Sequence, residues 1–167
     1  MIALAALALA PGFSEFLLQD LEGARHTIRA SSARATVVVF ISTVCPISQE
    51  YERRYQALYA RFSPSDVRFV FVYSNRNEPV TEIREHARTG AFPFPVYRDP
   101  DQSVADLFQA AVTPTAAVVD EKGRLVYRGR IDDSVNRARV KDRSLENALV
   151  AVLAGKAVRV PETRAFG

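Results

Sequence analysis

The stretch TVVVFISTVCPISQE, residues 36–50, decides the fold. Thr36–Ile41 is a run of Val, Phe and Ile without polar alternation, the pattern of a strand buried on both faces. Pro46 then sits where the first turn of a helix can use it, because the missing N–H would be unpaired there anyway. Ile47, Tyr51, Tyr55, Leu58, Tyr59 and Phe62 follow at helical spacing and share one face. A core strand therefore runs straight into an amphipathic helix, and Cys45 stands at the junction.

Outward from that junction the chain alternates. Residues 16–28 read as a small hairpin around Asp20–Gly23. Val67–Tyr73 is a second buried strand, and a helix carrying Val80, Ile83 and Ala87 runs from near Pro79 to Gly90. Phe94–Tyr97 reads as a short strand and Gln102–Ala110 as a short helix with Val104, Leu107 and Phe108 inward. Thr115–Val119 and Arg124–Arg128 make two strands joined by a turn that ends at Gly123. A last helix, Ser144 to Ala154, points Leu145, Leu149, Val152 and Leu153 inward and stops at Gly155. The order is hairpin, β-α-β, an inserted α-β-α, then β-β-α. That order predicts an α/β fold with a central mixed sheet flanked by helices.

With 167 residues, a net charge of +3 and arginines spread along its length, the chain reads as one domain without a nucleic-acid surface. One Cys and two His cannot build a disulfide framework or a zinc site within one chain, so no metal is expected. The opening MIALAALALA is too short for stable membrane insertion. It looks like the apolar part of a secretory signal, with Ala6–Ala8 suited to cleavage, although no Lys or Arg precedes it. The balance tips toward export, with a short helix or strand in a cytoplasmic chain as the alternative. Residues 1–12 are read as an extension, 13–160 as the domain and 161–167 as a tail.

Cys45 is the candidate for chemistry. A thiolate at a helix start faces free backbone N–H groups and the positive end of the helix dipole, and both favour its charged, nucleophilic form. A lone Cys is more often buried and inert; the strand-end position and Pro46 favour the reactive reading. Ser48, three residues on, either bonds the sulfur or caps the helix. His86 reads as a solvated residue on a polar face, and Arg128, Arg130, Asp132 and Asp133 as a surface ion network or a partner-contact patch. Tyr51, Tyr55 and Tyr59 read as the edge of the core.

VVVFISTVCPIS resembles the active-site segment of thioredoxin-like proteins of the alkyl hydroperoxide reductase/thiol-specific antioxidant (redoxin) family, and AVTPTAAVVDEKGRLVYRG is similar to their segment with a cis-proline, a strand, a turn and a strand. The resemblance spans about residues 13–155. It implies a thioredoxin-like fold, Cys45 as nucleophile, Ser42, Thr43, Pro46 and Ser48 in support, and Thr113 and a cis Pro114 shaping a substrate groove. Ser48 replaces the second Cys of the CxxC motif, so an external thiol has to resolve a mixed disulfide at Cys45. Val38 and Ser42 occupy the places where peroxiredoxins usually carry Pro and Thr, which counts against peroxidase activity. The reading is a thiol-dependent oxidoreductase without cofactor, acting on a protein disulfide or a hydroperoxide and fed by a thiol reductant. Its competitor is a non-catalytic module holding a client protein through the same groove. The oligomeric state stays open.

Overall fold

The structure, a computed structural model, describes residues 12–167, so the apolar opening stretch lies outside the described residues. Among those residues seven strands form one mixed sheet in the order β2-β1-β5-β4-β3-β6-β7. The strands are β1 Glu15–Gln19, β2 Arg25–Arg29, β3 Ala35–Ile41, β4 Val67–Tyr73, β5 Val96–Arg98, β6 Thr115–Asp120 and β7 Leu125–Gly129. β3 pairs in parallel with β4 and antiparallel with β6. Every residue of β3 is buried, as its unbroken apolar run requires.

The two faces of β3 feed two cores. Val37, Val39 and Ile41 join Phe69, Phe71 and Tyr73 of β4 in the larger core, while Val38 and Phe40 join Val70 and Val72 in the smaller one. The helices are α1 Pro46–Glu50, α2 Glu52–Phe62, α3 Val80–Thr89, α4 Ser103–Phe108 and α5 Ser144–Leu153. α2, α3 and α5 cover the larger core through Leu58, Ile83 and Leu149. α4 and the β1–β2 hairpin cover the other through Phe108, Phe16 and Ile28. Each large apolar side chain buried this way contributes about 1.5–3 kcal/mol.

The structure departs from the sequence reading at five places. The helical face from Ile47 to Phe62 breaks at Tyr51, whose N–H bonds the Ser48 carbonyl at 3.2 Å, three residues back rather than four. Strand β5 starts at Val96, not Phe94, because Pro93 and Pro95 have no N–H to give a ladder; Phe94 stacks on Phe71 instead. His86 is half-buried rather than solvated: Nε2 lies 2.8 Å from Glu52 Oε1 and Nδ1 2.7 Å from the Tyr73 hydroxyl. Asp132 is buried, with its carboxylate 2.6 Å from the Tyr51 hydroxyl and bonded by Arg54 Nη1 at 2.8 and 2.9 Å. Arg128 and Arg130 pair elsewhere, with Glu162 and Asp142, so the Arg128–Asp133 stretch is not one surface network. Tyr51 and Tyr55 are fully buried, deeper than a core edge.

Candidate active site

β3 and β4 run parallel and end at the same edge of the sheet, so the segments leaving them meet there. From β3 comes Ser42–Cys45. Cys45 is the N-cap of α1, and its sulfur accepts the Ser48 N–H at 3.4 Å. From across the sheet comes the loop before β6, where the Thr113–Pro114 bond is cis. The Cys45 S–H donates to the Thr113 carbonyl at 3.1 Å. Cys45 is half-buried, while its chain neighbours Val44 and Pro46 are exposed, which leaves an apolar rim beside the sulfur. The geometry suits a nucleophilic thiol: a helix-start N–H faces the sulfur, the acceptor for its proton is a neutral carbonyl, and the rim is open to a second sulfur atom.

The supporting hydroxyls point elsewhere. Ser48 is buried and its hydroxyl accepts the Ser42 N–H at 3.4 Å, so its backbone, not its side chain, reaches the sulfur. Ser42 Oγ accepts the Val44 N–H at 3.2 Å and donates to Glu78 Oε1 at 2.8 Å. Thr43 Oγ1 donates to the same oxygen at 2.7 Å, and so does the Thr43 backbone N–H. Thr113 offers its carbonyl to the sulfur, and Pro46 opens α1. Among the described residues neither hydroxyl is hydrogen-bonded to the sulfur: Ser42 Oγ serves Val44 and Glu78, and Ser48 Oγ serves the Ser42 N–H.

Glu78 is the residue that the sequence reading missed. It is 2 % exposed, and among the described residues it has neither a cation paired with it nor a hydrogen-bond partner for its Oε2. A buried carboxylate held by three neutral donors through one oxygen is a costly arrangement that calls for a reason. Its effect is to clamp the strand-to-helix loop on which Cys45 stands. The signal in the sequence was slight: a Glu before Pro79, past the end of β4, reads as an ordinary helix start. Behind the loop, burial holds the Tyr55 and Tyr73 hydroxyls above the ordinary phenol range, so both stay protonated. Tyr73 is tied through His86 to Glu52 on α2. Among the described residues no group of three or more His, Cys, Asp or Glu is arranged to hold a metal ion, and no helix is long and apolar enough to cross a membrane.

The thiol-disulfide oxidoreductase ResA of Halalkalibacterium halodurans is 26% identical over 111 residues, which is 66% of this chain; the chain spans 62% of that relative's length. A solved hypothetical protein of Sinorhizobium meliloti 1021 superposes with a TM-score of 0.81 at 27% identity, covering 98% of this chain and 93% of that one. An uncharacterized conserved protein of Geobacillus kaustophilus gives 0.80 at 29% identity, covering 93% and 86%. The fold is thioredoxin-like. The model of the AhpC/TSA family matches residues 10–128, which hold the hairpin, the Cys45 loop, the clamp at Glu78 and the cis-proline strand. The chain belongs to the AhpC/TSA family.

Proposed function

We propose that this chain is a thiol–disulfide oxidoreductase with Cys45 as its single nucleophile. The observation that carries the reading is the meeting of the Cys45 sulfur, at the start of α1, with the Thr113 carbonyl beside the cis-proline, 3.1 Å apart. In the first step the Cys45 thiolate attacks one sulfur of a protein disulfide, forming a mixed disulfide and releasing the other sulfur as a thiolate. An external thiolate then attacks the Cys45 sulfur and frees the substrate's second thiol, and a second external thiol restores Cys45. Two electrons pass from two external thiols to the substrate disulfide. The Thr113 backbone, turned toward the groove, pairs with an extended substrate segment in the manner of strand addition. Val38 and Ser42 in place of the peroxiredoxin Pro and Thr favour disulfides over hydroperoxides as substrates. The relationship to a thiol-disulfide oxidoreductase supports the same choice, and the apolar opening stretch supports an exported site of action.

Turnover of a protein disulfide with an external dithiol tests this. Cys45→Ser is expected to abolish it. Ser48→Cys is expected to raise it and to reduce its dependence on the external thiol, because position 48 lies one helical turn from Cys45 and the introduced thiol can resolve the mixed disulfide by forming an intramolecular one. A wild-type mixed disulfide that no external thiol releases would make the chain a client-holding module instead. Fractionation of the native cell locates the chain.

A further inference from the structure

Residues 161–167 return along the outer side of β7. The Arg128 N–H donates to the Pro161 carbonyl at 2.9 Å, and the Thr163 N–H donates to the Arg128 carbonyl at 3.0 Å. Thr163 Oγ1 accepts the Arg130 N–H at 3.0 Å and lies 2.8 Å from the Tyr127 hydroxyl. The approach leaves no room for a side chain: a Cβ on Gly129 would fall 2.3 Å from the Thr163 carbonyl oxygen. Gly129 also has φ +146°, a conformation that favours glycine. Phe166 then packs against the larger core. The segment ends its course on the groove, since a Cβ on Gly167 would fall 2.1 Å from the Thr113 carbonyl oxygen and 3.1 Å from the Thr113 nitrogen. That carbonyl is the one bonded by the Cys45 S–H.

Gly167 thus covers the two backbone groups that an extended substrate would need, and it leaves Cys45 half-buried rather than sealed. We propose that residues 164–167 form a strap over the peptide groove that sets the specificity of Cys45 by size. A small disulfide reaches the sulfur with the strap in place, whereas an extended polypeptide enters only after the strap has moved off Thr113. The proposal rests on the exchange reading of Cys45. Thr163 anchors the strap with three hydrogen bonds; beyond it Arg164 is exposed, and the strap's hold on the groove is the packing of Phe166 and the close fit of one glycine. A substrate that binds only the strap-free form loses apparent affinity in proportion to the fraction of molecules in that form.

Gly167→Val in the full chain tests the strap, because its added side chain cannot fit against Thr113. The probes are Ellman's reagent, as a small disulfide, and a ten-residue peptide carrying a mixed disulfide with thionitrobenzoate. The variant is expected to react with the peptide about tenfold faster while its rate with the small reagent changes less than about twofold. Phe166→Ala, which removes the strap's apolar contact, is expected to move the same ratio in the same direction. A second readout is independent of thiol chemistry: in Cys45→Ala, the peptide with Ser for Cys is expected to shift the Thr113 amide resonance at lower concentration when Gly167 is also Val. An unchanged rate ratio and an unchanged titration overturn the strap. A Cys45 that reacts with neither probe in any variant overturns the exchange reading instead, and the titration still decides the strap.

Discussion

Glu78 and Asp132 are both buried carboxylates, 2 % and 5 % exposed, and they are satisfied in opposite ways. Asp132 has a cation against it: Arg54 bonds both its oxygens, Tyr51 and the Ser134 N–H add two more bonds, and Arg54 also reaches the carbonyls of Ser134 and Val135. That cluster ties the joint between α1 and α2 to the chain that follows β7. Glu78 has only neutral donors, all on the loop before Cys45, and all on one of its oxygens. A third buried carboxylate, Asp99 at 1 % exposure, lies between the two cases. Among the described residues it has no cation, but both its oxygens are bonded, by the Val104 and Ala105 N–H groups and by Ser74. The difference separates a carboxylate that joins elements of the fold from one that holds a single loop, because of the three only Glu78 spends its bonds on the loop carrying Cys45.

Asp132→Ala carries the largest expected effect on stability. It leaves the Arg54 guanidinium buried without its partner, and breaking a buried pair costs about 3–5 kcal/mol. Urea unfolding measures the loss, and the rate of Cys45 alkylation in the folded variant is expected to stay near that of the wild type. Glu78→Ala leaves only neutral donors unpaired, for a loss of about 1–3 kcal/mol. Here the alkylation rate is expected to change several-fold, because the loop loses its clamp. Glu78→Gln separates shape from charge. The amide oxygen can keep the three bonds, so stability is expected to move by less than about 1 kcal/mol and the alkylation rate to stay nearer the wild type than in Glu78→Ala; an alkylation rate that changes as much as in Glu78→Ala would assign the effect to charge rather than to the clamp. If Asp132→Ala slows Cys45 as much as Glu78→Ala does, the division between the two carboxylates is wrong.

Asp99 gives a smaller effect that shows only against pH. Burial raises its pKa above the ordinary carboxylate value, and the bonds from Ala105, Val104 and Ser74 oppose the rise. The folded protein therefore holds a proton on Asp99 at pH values where the unfolded chain has released it. Stability from this group is present in full below the unfolded value of about 3.9 and declines as pH rises from there through the folded value. Asp99→Asn is expected to flatten that part of the stability–pH curve, and a variant curve parallel to that of the wild type would mean that Asp99 ionises freely. The smallest effect belongs to Arg84, whose bond to Glu22 at 2.7 Å joins two exposed side chains. Arg84→Gln is expected to cost about 0.2–1 kcal/mol, less in high salt.

Much of the fold was legible because it follows from periodicity. The apolar runs at 36–41 and 67–73, the latter interrupted only by Arg68, are strands β3 and β4 almost to the residue, and the helical spacing of Leu145 and Leu149 is α5. Cys45 at the end of β3 and Pro114 before β6 were legible for the same reason, since the ends of well-marked strands are where the chain can present chemistry. The break at Tyr51 was not, because a helix that tightens by one hydrogen bond keeps its apolar face. Nor were the hydroxyls of Ser42 and Ser48, whose residue type says that they bond but not to what.

The sequence by itself determined which segments are strands and helices, that one thiol stands at a strand-to-helix junction, and that a proline opens the strand opposite. Local patterns of apolar residues, proline and glycine carry that information over a few residues at a time. Only the tertiary structure decided that Glu78 clamps the Cys45 loop from 35 residues away, that Asp132 pairs with Arg54 across 78, and that Gly167 rests on Thr113. Such contacts leave no period in the chain. They exist because parallel strands end at one edge and because burial forces each polar group brought there to find a partner.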